Sequence, residues 1–236
     1  MEPWKKKWKH SSFNAMFILT ALPIQVGMAV IMLTVSRWTG AHHWGLAYLL
    51  PNPSSVWIKY VGMFVLLDFL DYVYHVTVHW IARFWRFHRV HHSDLKVDVS
   101  TTVREHPGES VLRMCFLIGF VFFCGASPEV LLLRQTVQTV SNILSHTSLR
   151  LPGRFGTICR WVFITPNLHH VHHHYVLPYT NCNYGDVFSI WDRLFGTFKE
   201  LPREETVFGL DTHMDESVNA SFSGTMKMPF LSARKD

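Results

Sequence analysis

Three histidine clusters constrain this 236-residue chain more than any other feature. They are His75-Val-Thr-Val-His79, His88-Arg-Val-His91-His92 and His169-His-Val-His172-His173. In a helix, residues at i, i+3 and i+4 lie on one face. Each cluster therefore presents two or three imidazoles in one direction. Brought together, three such faces make a metal site built almost wholly of nitrogen ligands. A lone histidine on an apolar face is usually structural, but eight in these spacings are not explained that way. Loose metal-binding tails are polar and unspaced, whereas these clusters adjoin apolar, helix-length segments.

Imidazole suits Zn, Cu, Fe and Ni. One tetrahedral Zn takes four ligands, so eight or more histidines imply two metals. Soluble di-iron bundles use Glu and Glu-x-x-His on helices; here neutral imidazoles largely replace the carboxylates. Two iron ions fit such a site best, and spacing alone leaves zinc open as a substitute.

Composition places the site at a membrane. The chain is 48% hydrophobic, with nine Trp and eighteen Phe, high for a soluble domain. Its net charge of +5 sits beside apolar stretches and not in a polar domain, so the expected partner is a lipid surface. No nucleic-acid-binding module is recognisable. Cys115, Cys124, Cys159 and Cys182 form no CxxC pair and read as free thiols, in keeping with a reducing compartment.

Lys5, Lys6, Lys7 and Lys9, interleaved with Trp4 and Trp8, precede an apolar run from Phe13 to Val35. That run is long enough to cross a hydrocarbon core of ~30 Å, too long for a signal peptide, and lacks a small-residue cleavage site. The lysines put the N-terminus in the cytoplasm. Arg37 to Ser55 reads as an outer loop. A second long helix runs from about Val56 to Ile81, and from Lys59 to His79 it rises ~30 Å at ~1.5 Å per residue. The first cluster then sits where this helix leaves the membrane on the inner side. Arg83 to Arg113 carries further basic residues, as cytoplasmic segments do. Val111–Ala126 and Val130–Leu144 read as a tilted or partly inserted hairpin. Ser127-Pro128-Glu129 opens its second arm as N-cap, first-turn proline and first-turn acid. From Leu201 the chain is polar. The expected fold is all-α: an integral-membrane helical bundle with a cytoplasmic, histidine-rich helical cap. It is one domain over 1–236, with an anchor helix and outer loop (1–55), a histidine-bearing core (56–200) and a polar cytoplasmic tail (201–236).

The spacing HxxxH, HxxHH, HxxHH resembles that of the membrane-bound fatty acid hydroxylase and sterol desaturase superfamily. The resemblance extends beyond histidines to Leu67-Asp-Phe-Leu-Asp-Tyr-Val-Tyr-His75, Trp85-Arg-Phe-His-Arg-Val-His-His-Ser-Asp94, Arg104-Glu-His-Pro107, Asn183-Tyr-Gly185 and Ile190-Trp-Asp-Arg-Leu-Phe-Gly-Thr197. It covers about residues 56–230. It implies a non-haem di-iron oxygenase on the cytoplasmic face of a bacterial inner membrane or the endoplasmic reticulum. Such an enzyme uses O2 to attack an unactivated C–H bond of a lipid substrate, by hydroxylation or desaturation. Electrons come from a separate donor protein, since no flavin, haem or iron–sulfur module is visible.

Matched residue by residue, the resemblance implies metal ligands at His75, His79, His88, His91 and His92. Two registers satisfy HxxHH in the third cluster; the flanking Thr165-Pro166 and Asn183-Tyr184-Gly185 favour His169, His172 and His173. That leaves His170 and His174 as flanking groups. His146 is an additional expected ligand, four residues after Asn142, which stands where some members carry another histidine. His106 is expected beside the site or facing substrate. Metal-bound histidines usually donate their second N–H to a carboxylate or carbonyl. Asp71 and Asp68, one and two helical turns before His75, and Asp94, just after His92, are the acids expected to orient them. Asp186 and Asp192 are further candidates, with a helix-cap or arginine-pair role equally open for Asp192. A zinc- or copper-binding transporter or sensor without oxygenase chemistry is the rival reading. It would need polar groups through the depth of several spans, whereas these histidines collect at one interface.

Overall fold

The computed structural model describes residues 4–49 and 56–231, apart from the side chain of Ser217. Its helices are α1 (Trp4–Ala41), α2 (Leu46–Leu49), α3 (Val56–Trp80), α4 (Ala82–His92), α5 (Pro107–Cys124), α6 (Pro128–Ser145), α7 (Gly153–Val162), α8 (Pro166–His172), α9 (Ile190–Leu194), α10 (Glu216–Asn219) and α11 (Phe222–Lys227). Among the described residues β-structure is limited to two isolated bridges, Phe163 with Phe188 and His174 with Phe208. Among the described residues three helical stretches are long and apolar enough to cross a membrane: Trp4–Leu49, Val56–Trp80 and Pro107–Cys124.

The surface of these helices is apolar and much of their interior polar. Leu19, Val30, Trp57, Phe123 and Leu132 face outward, while Asn14, Ser36, Thr39, Asp68, Asp71 and Arg134 are buried. Lipid explains that inversion, because it accepts apolar side chains and rejects unsatisfied polar ones. Between α3, α5 and α6 the packed core comprises Met63, Leu67, Leu117, Val121, Cys124, Ala126, Val130 and Leu131. Arg134 of α6 grips Asp71 of α3 with two parallel bonds, Nε to Oδ2 at 2.8 Å and Nη2 to Oδ1 at 2.5 Å.

Helix ends follow the local sequence. His106 caps α5 by accepting the Gly108 N–H at 2.9 Å, with Pro107 in the first turn. At the other end Gly125 takes φ +68°, and a Cβ there would sit 2.3 Å from the Trp44 carbonyl. Only glycine lets the α5–α6 turn close on the segment between α1 and α2. Ser127 is the N-cap residue of α6, yet its side chain makes no capping bond; the proline and Glu129 remain in the first turn as expected.

Two expectations are revised. α1 continues to Ala41 and a helical turn follows at Leu46–Leu49, so two stretches of the anticipated 37–55 loop are helical; residues 50–55 lie outside the described residues. The polar segment after Leu201 packs back on the core: Met228 is fully buried against Phe17 and Val90, and the Arg89 guanidinium donates to the Met228 carbonyl. All four cysteines are free.

Candidate metal centre

α3 ends, α4 begins after one turn, and the two run back against each other. This sets the first two clusters side by side. α8 brings the third, and the residue ending α6 contributes His146. The imidazoles converge as two groups, His75, His79, His88, His92 and His172 in one, His91, His146, His169 and His173 in the other. Within each group the candidate donor atoms lie within 4.8 Å of one another. The groups adjoin, with the rings of His92 and His173 stacked at 4.6 Å.

Each HxxHH motif divides between the two groups instead of facing one way. α4 gives its i and i+4 residues, His88 and His92, to the five-histidine group and its i+3 residue, His91, to the other. α8 does the reverse: His169 and His173 go to the four-histidine group and His172 to the five. At 100° per residue, i+4 lies 40° from i on one side and i+3 lies 60° on the other, so the motif suits a helix wedged between two centres. α3 supplies the remaining pair to one group and the end of α6 the remaining ring to the other.

Four of the rings give their second nitrogen to a neutral oxygen, while His92 Nδ1 and His173 Nδ1 are buried without a partner. His75 Nδ1–H donates to the Tyr184 carbonyl at 2.8 Å, His172 Nδ1–H to the Cys182 carbonyl at 2.7 Å, and His146 Nδ1–H to the Asn142 carbonyl at 2.8 Å. His79 Nδ1–H reaches Asn181 Oδ1 at 3.1 Å. His88 Nδ1–H donates to a carboxylate, Glu109 Oε1, at 2.6 Å.

These bonds place the ring protons on Nδ1 and leave bare lone pairs on Nε2. Burial, and then the neighbouring imidazoles, push His88, His91, His92, His169, His172 and His173 well below the ordinary histidine range; burial holds His146 at about 4. The Nε2 atoms of His75 and His88, both with Nδ1–H bonded elsewhere, nonetheless lie 3.2 Å apart. His79 Nε2 and His172 Nε2 are buried with no hydrogen-bond partner. Converging lone pairs without protons between them suit cations, and imidazole nitrogen suits a first-row transition metal. The residues therefore fit a pair of metal ions, one per group.

The other expected site residues lie outside both groups. His106 caps α5, and its Nε2–H donates to the Met226 carbonyl. His170 packs on Phe208, and His174 Nδ1 accepts the Val207 N–H. Asn142 serves through its carbonyl, while its side-chain amide bonds Asp186 Oδ1. The three acids expected to orient histidines have other partners. Asp71 binds Arg134. Asp68 accepts from Trp191 Nε1 and the Val187 N–H. Asp94 bonds His10 Nε2 and accepts from Asn14 and Thr101, which ties α1 to the segment after α4. Burial works to raise Asp94, but the His10 hydrogen bond and the nearby Arg104 charge outweigh it and hold the carboxyl at about 2. Asp192 neither caps a helix with its side chain nor pairs with an arginine as its main contact. It accepts the Tyr184 and Gly185 N–H groups and the Thr197 hydroxyl, so it fixes the loop whose carbonyl holds His75.

Glu109 was missed from sequence. The available signal was an acid in the first turn of an apolar, membrane-length helix, where ionisable groups are functional by default. The carbonyls of Tyr184 and Cys182 carry no sequence signal, because any residue has one.

A cavity of about 390 Å³ reaches both groups. His75, His88, His91, His146 and His169 line its floor, and Ile18, Leu22 and Gln25 of α1 with Gln135 and Thr139 of α6 line it farther out. Ile18 and Leu22 are also exposed on the apolar surface, so the cavity lies beside the lipid-facing side of α1.

Comparison with known proteins agrees with this architecture. The chain is 28% identical to ornithine lipid hydroxylase OlsE of Rhizobium tropici across 97% of its own length and 70% of the relative's. It is 32% identical to the alkylglycerol monooxygenases of Caenorhabditis elegans and Homo sapiens, covering 62% and 68% of this chain but 28% and 34% of those proteins. It therefore spans about a third of the alkylglycerol monooxygenases. No solved structure matches the chain. The fatty acid hydroxylase family model matches residues 60–197, a segment that carries all nine converging histidines, and the chain belongs to the fatty acid hydroxylase family.

Proposed function

We propose that this chain is a multi-pass membrane oxygenase that hydroxylates a C–H bond of a lipid at the cytoplasmic face. The observation that carries the reading is the pairing of five and four histidines, seven of the nine buried, at the floor of a cavity beside a lipid-facing helix. Two iron ions held there would supply the redox chemistry of O2 reduction, which zinc does not offer. The balance is R–H + O2 + 2 e⁻ + 2 H⁺ → R–OH + H2O, with the electrons from a separate donor protein. Desaturation begins at the same C–H bond, and the relatives' names, hydroxylase and monooxygenase, favour hydroxylation.

The chain's own residues perform three tasks. The nine histidines hold the metals, and the Nδ1 partners of His75, His79, His88, His146 and His172 fix those rings' tautomers and directions. The buried floor excludes water from the oxidising centre. The cavity beside α1 holds the lipid with its reacting carbon against the histidine floor. The cytoplasmic placement is supported by charge. His10 bonds Asp94, so Lys5 to Lys9 lie at the same end as the histidines, where the positive-inside rule puts them.

The test is purified protein in lipid nanodiscs. About two irons per chain and O2-dependent hydroxylated lipid, both lost in His172→Ala, are expected. Protein that holds only zinc and consumes no O2 with reductant and host lipids overturns the reading.

A further inference from the structure

An amphipathic helix in water turns its apolar face to the protein. α7 does the opposite. Phe155, Ile158 and Trp161 are 60%, 66% and 59% exposed, Val162 is exposed beside them, and no residue of the helix is buried. At 100° per residue, Phe155, Ile158 and Val162 share one side. The opposite side carries Gly153, Gly156, Thr157 and Arg160, and those four line a cavity of about 340 Å³. The polar side borders that groove, with Gly156 and Arg160 half-buried, while the apolar side looks out with none of the described residues packed over it, as a helix against an apolar medium does.

Depth agrees. Phe163, the residue after α7, packs on Phe188 at 5.6 Å, and Phe188 packs on Phe64 at 6.0 Å. Phe64 belongs to α3, which is long and apolar enough to cross a membrane, so the end of α7 meets the apolar part of the bundle. The apolar surface is also continuous: Val140, Ile143 and Leu144 of α6 and then Leu149 and Leu151 are exposed just before α7. Charge names the lipid. Arg160 pairs with Glu200, and Arg203 donates to the Ser148 carbonyl. Among the described residues Arg150 and Arg154, at the start of α7, have no carboxylate partner. Free guanidinium groups beside an apolar face match anionic headgroups.

We propose that α7 lies in the plane of the membrane surface, with Phe155, Ile158 and Trp161 among acyl chains and Arg150 and Arg154 on the phosphates of anionic lipids. The proposal does not depend on the oxygenase reading. Because α7 runs through Phe163–Thr165 into α8, this contact sets the height of His169, His172 and His173 relative to the lipid.

The test places a spin label at Ile158→Cys in the full chain carrying Cys115→Ser and Cys159→Ser, the two remaining cysteines being buried. Phe155→Cys is a second label site should the first variant fail to fold, and Glu204→Cys is the aqueous control. The protein is placed in nanodiscs of phosphatidylcholine with or without phosphatidylglycerol. Collision rates with O2, which partitions into lipid, and with a water-soluble nickel chelate are measured. The label at 158 is expected to meet O2 severalfold more often, and the chelate severalfold less often, than the label at 204. Phosphatidylglycerol should deepen it, and Arg150→Gln with Arg154→Gln should abolish that deepening. Chelate access equal to that at 204 overturns the proposal by placing the face in water. Shielding from both probes overturns it in favour of a protein cover, and indifference to phosphatidylglycerol overturns the assignment of anionic lipid.

Discussion

Glu109 gives the sharpest test of how the candidate centre is held. Its Oε1 accepts His88 Nδ1–H at 2.6 Å with both side chains nearly excluded from solvent. This bond fixes the His88 tautomer and aims Nε2 at the five-histidine group. Loss of such an orienting partner typically costs 10–100-fold in metal affinity, or about 1.4–2.7 kcal/mol at about 1.36 kcal/mol per decade. Glu109→Ala should therefore weaken the five-histidine group by that factor. Glu109→Gln should weaken it less, because an amide oxygen still accepts from Nδ1–H and only the charge is lost. The four-histidine group receives no bond from Glu109 and should keep its affinity. The assay is a chelator competition titration on purified protein, followed by metal analysis at each chelator concentration. Wild type should release its metals over one range, and Glu109→Ala should release one equivalent 10–100-fold earlier. Equal weakening of both equivalents, or no change in either, would refute the orienting role. A thermal midpoint within a few degrees of wild type separates the effect from general unfolding.

Three further outcomes follow from the same contacts. Arg134→Met leaves Asp71 buried and unpaired and should cost about 3–5 kcal/mol, while the double variant with Asp71→Asn should recover much of it; denaturant titration in mixed micelles reads both. Asp192→Asn turns an acceptor of two backbone N–H groups into a partial donor, and should cost about 1–3 kcal/mol and weaken the five-histidine group through the displaced Tyr184 carbonyl, as seen by thermal melting and metal titration. Metal-stripped protein should lose stability on acidification: with His146 held at about 4 by burial against about 6.5 unfolded, the unfolded chain binds more protons between those values. That stability is complete above pH 6.5 and drains away as pH falls toward 4, so a melting temperature flat across that interval would contradict the neutral, buried state.

Much of the centre was legible because helical spacing is a short-range signal. HxxxH and HxxHH fix relative directions within a turn or two, and the apolar lengths of α1 and α3 fix which end of the bundle they reach. The split of each HxxHH motif was not legible. Whether i+3 joins i and i+4 or turns away depends on what stands on both sides of the helix, and that is tertiary. The orienting acids were misplaced for a related reason. Proximity in sequence put Asp71 and Asp94 beside histidines, but each sits on a helix face or turn aimed at another element, Arg134 in one case and α1 in the other. Glu109, far in sequence from His88, reaches it because α4 and α5 pack together. The tail after Leu201 looked polar, yet single apolar residues such as Met228 anchor it, and one residue makes no periodic pattern.

The choice of partners around the histidines also accounts for how such a site survives inside a membrane protein. A buried carboxylate cluster without its cations would carry uncompensated charge at a cost of several kcal/mol per ion. Neutral imidazoles carry none. The Nδ1–H groups of four of them are satisfied by carbonyls and an amide oxygen, from Asn142, Cys182, Tyr184 and Asn181, which are also neutral. Glu109 brings the single carboxylate bonded to the five-histidine group, and the other acids nearby are spent on structural contacts: Asp71 on Arg134, Asp94 on His10 and Asp192 on backbone N–H groups. Glu109 apart, nothing charged at the centre then has to be neutralised before a metal arrives. The cost is shifted to the lone pairs of His75 Nε2 and His88 Nε2, which face one another at 3.2 Å, a modest repulsion that cation binding reverses. Charged residues such as Arg134, Asp71 and Asp94 hold helices together, and apart from Glu109 the groups bonded to the histidines are neutral.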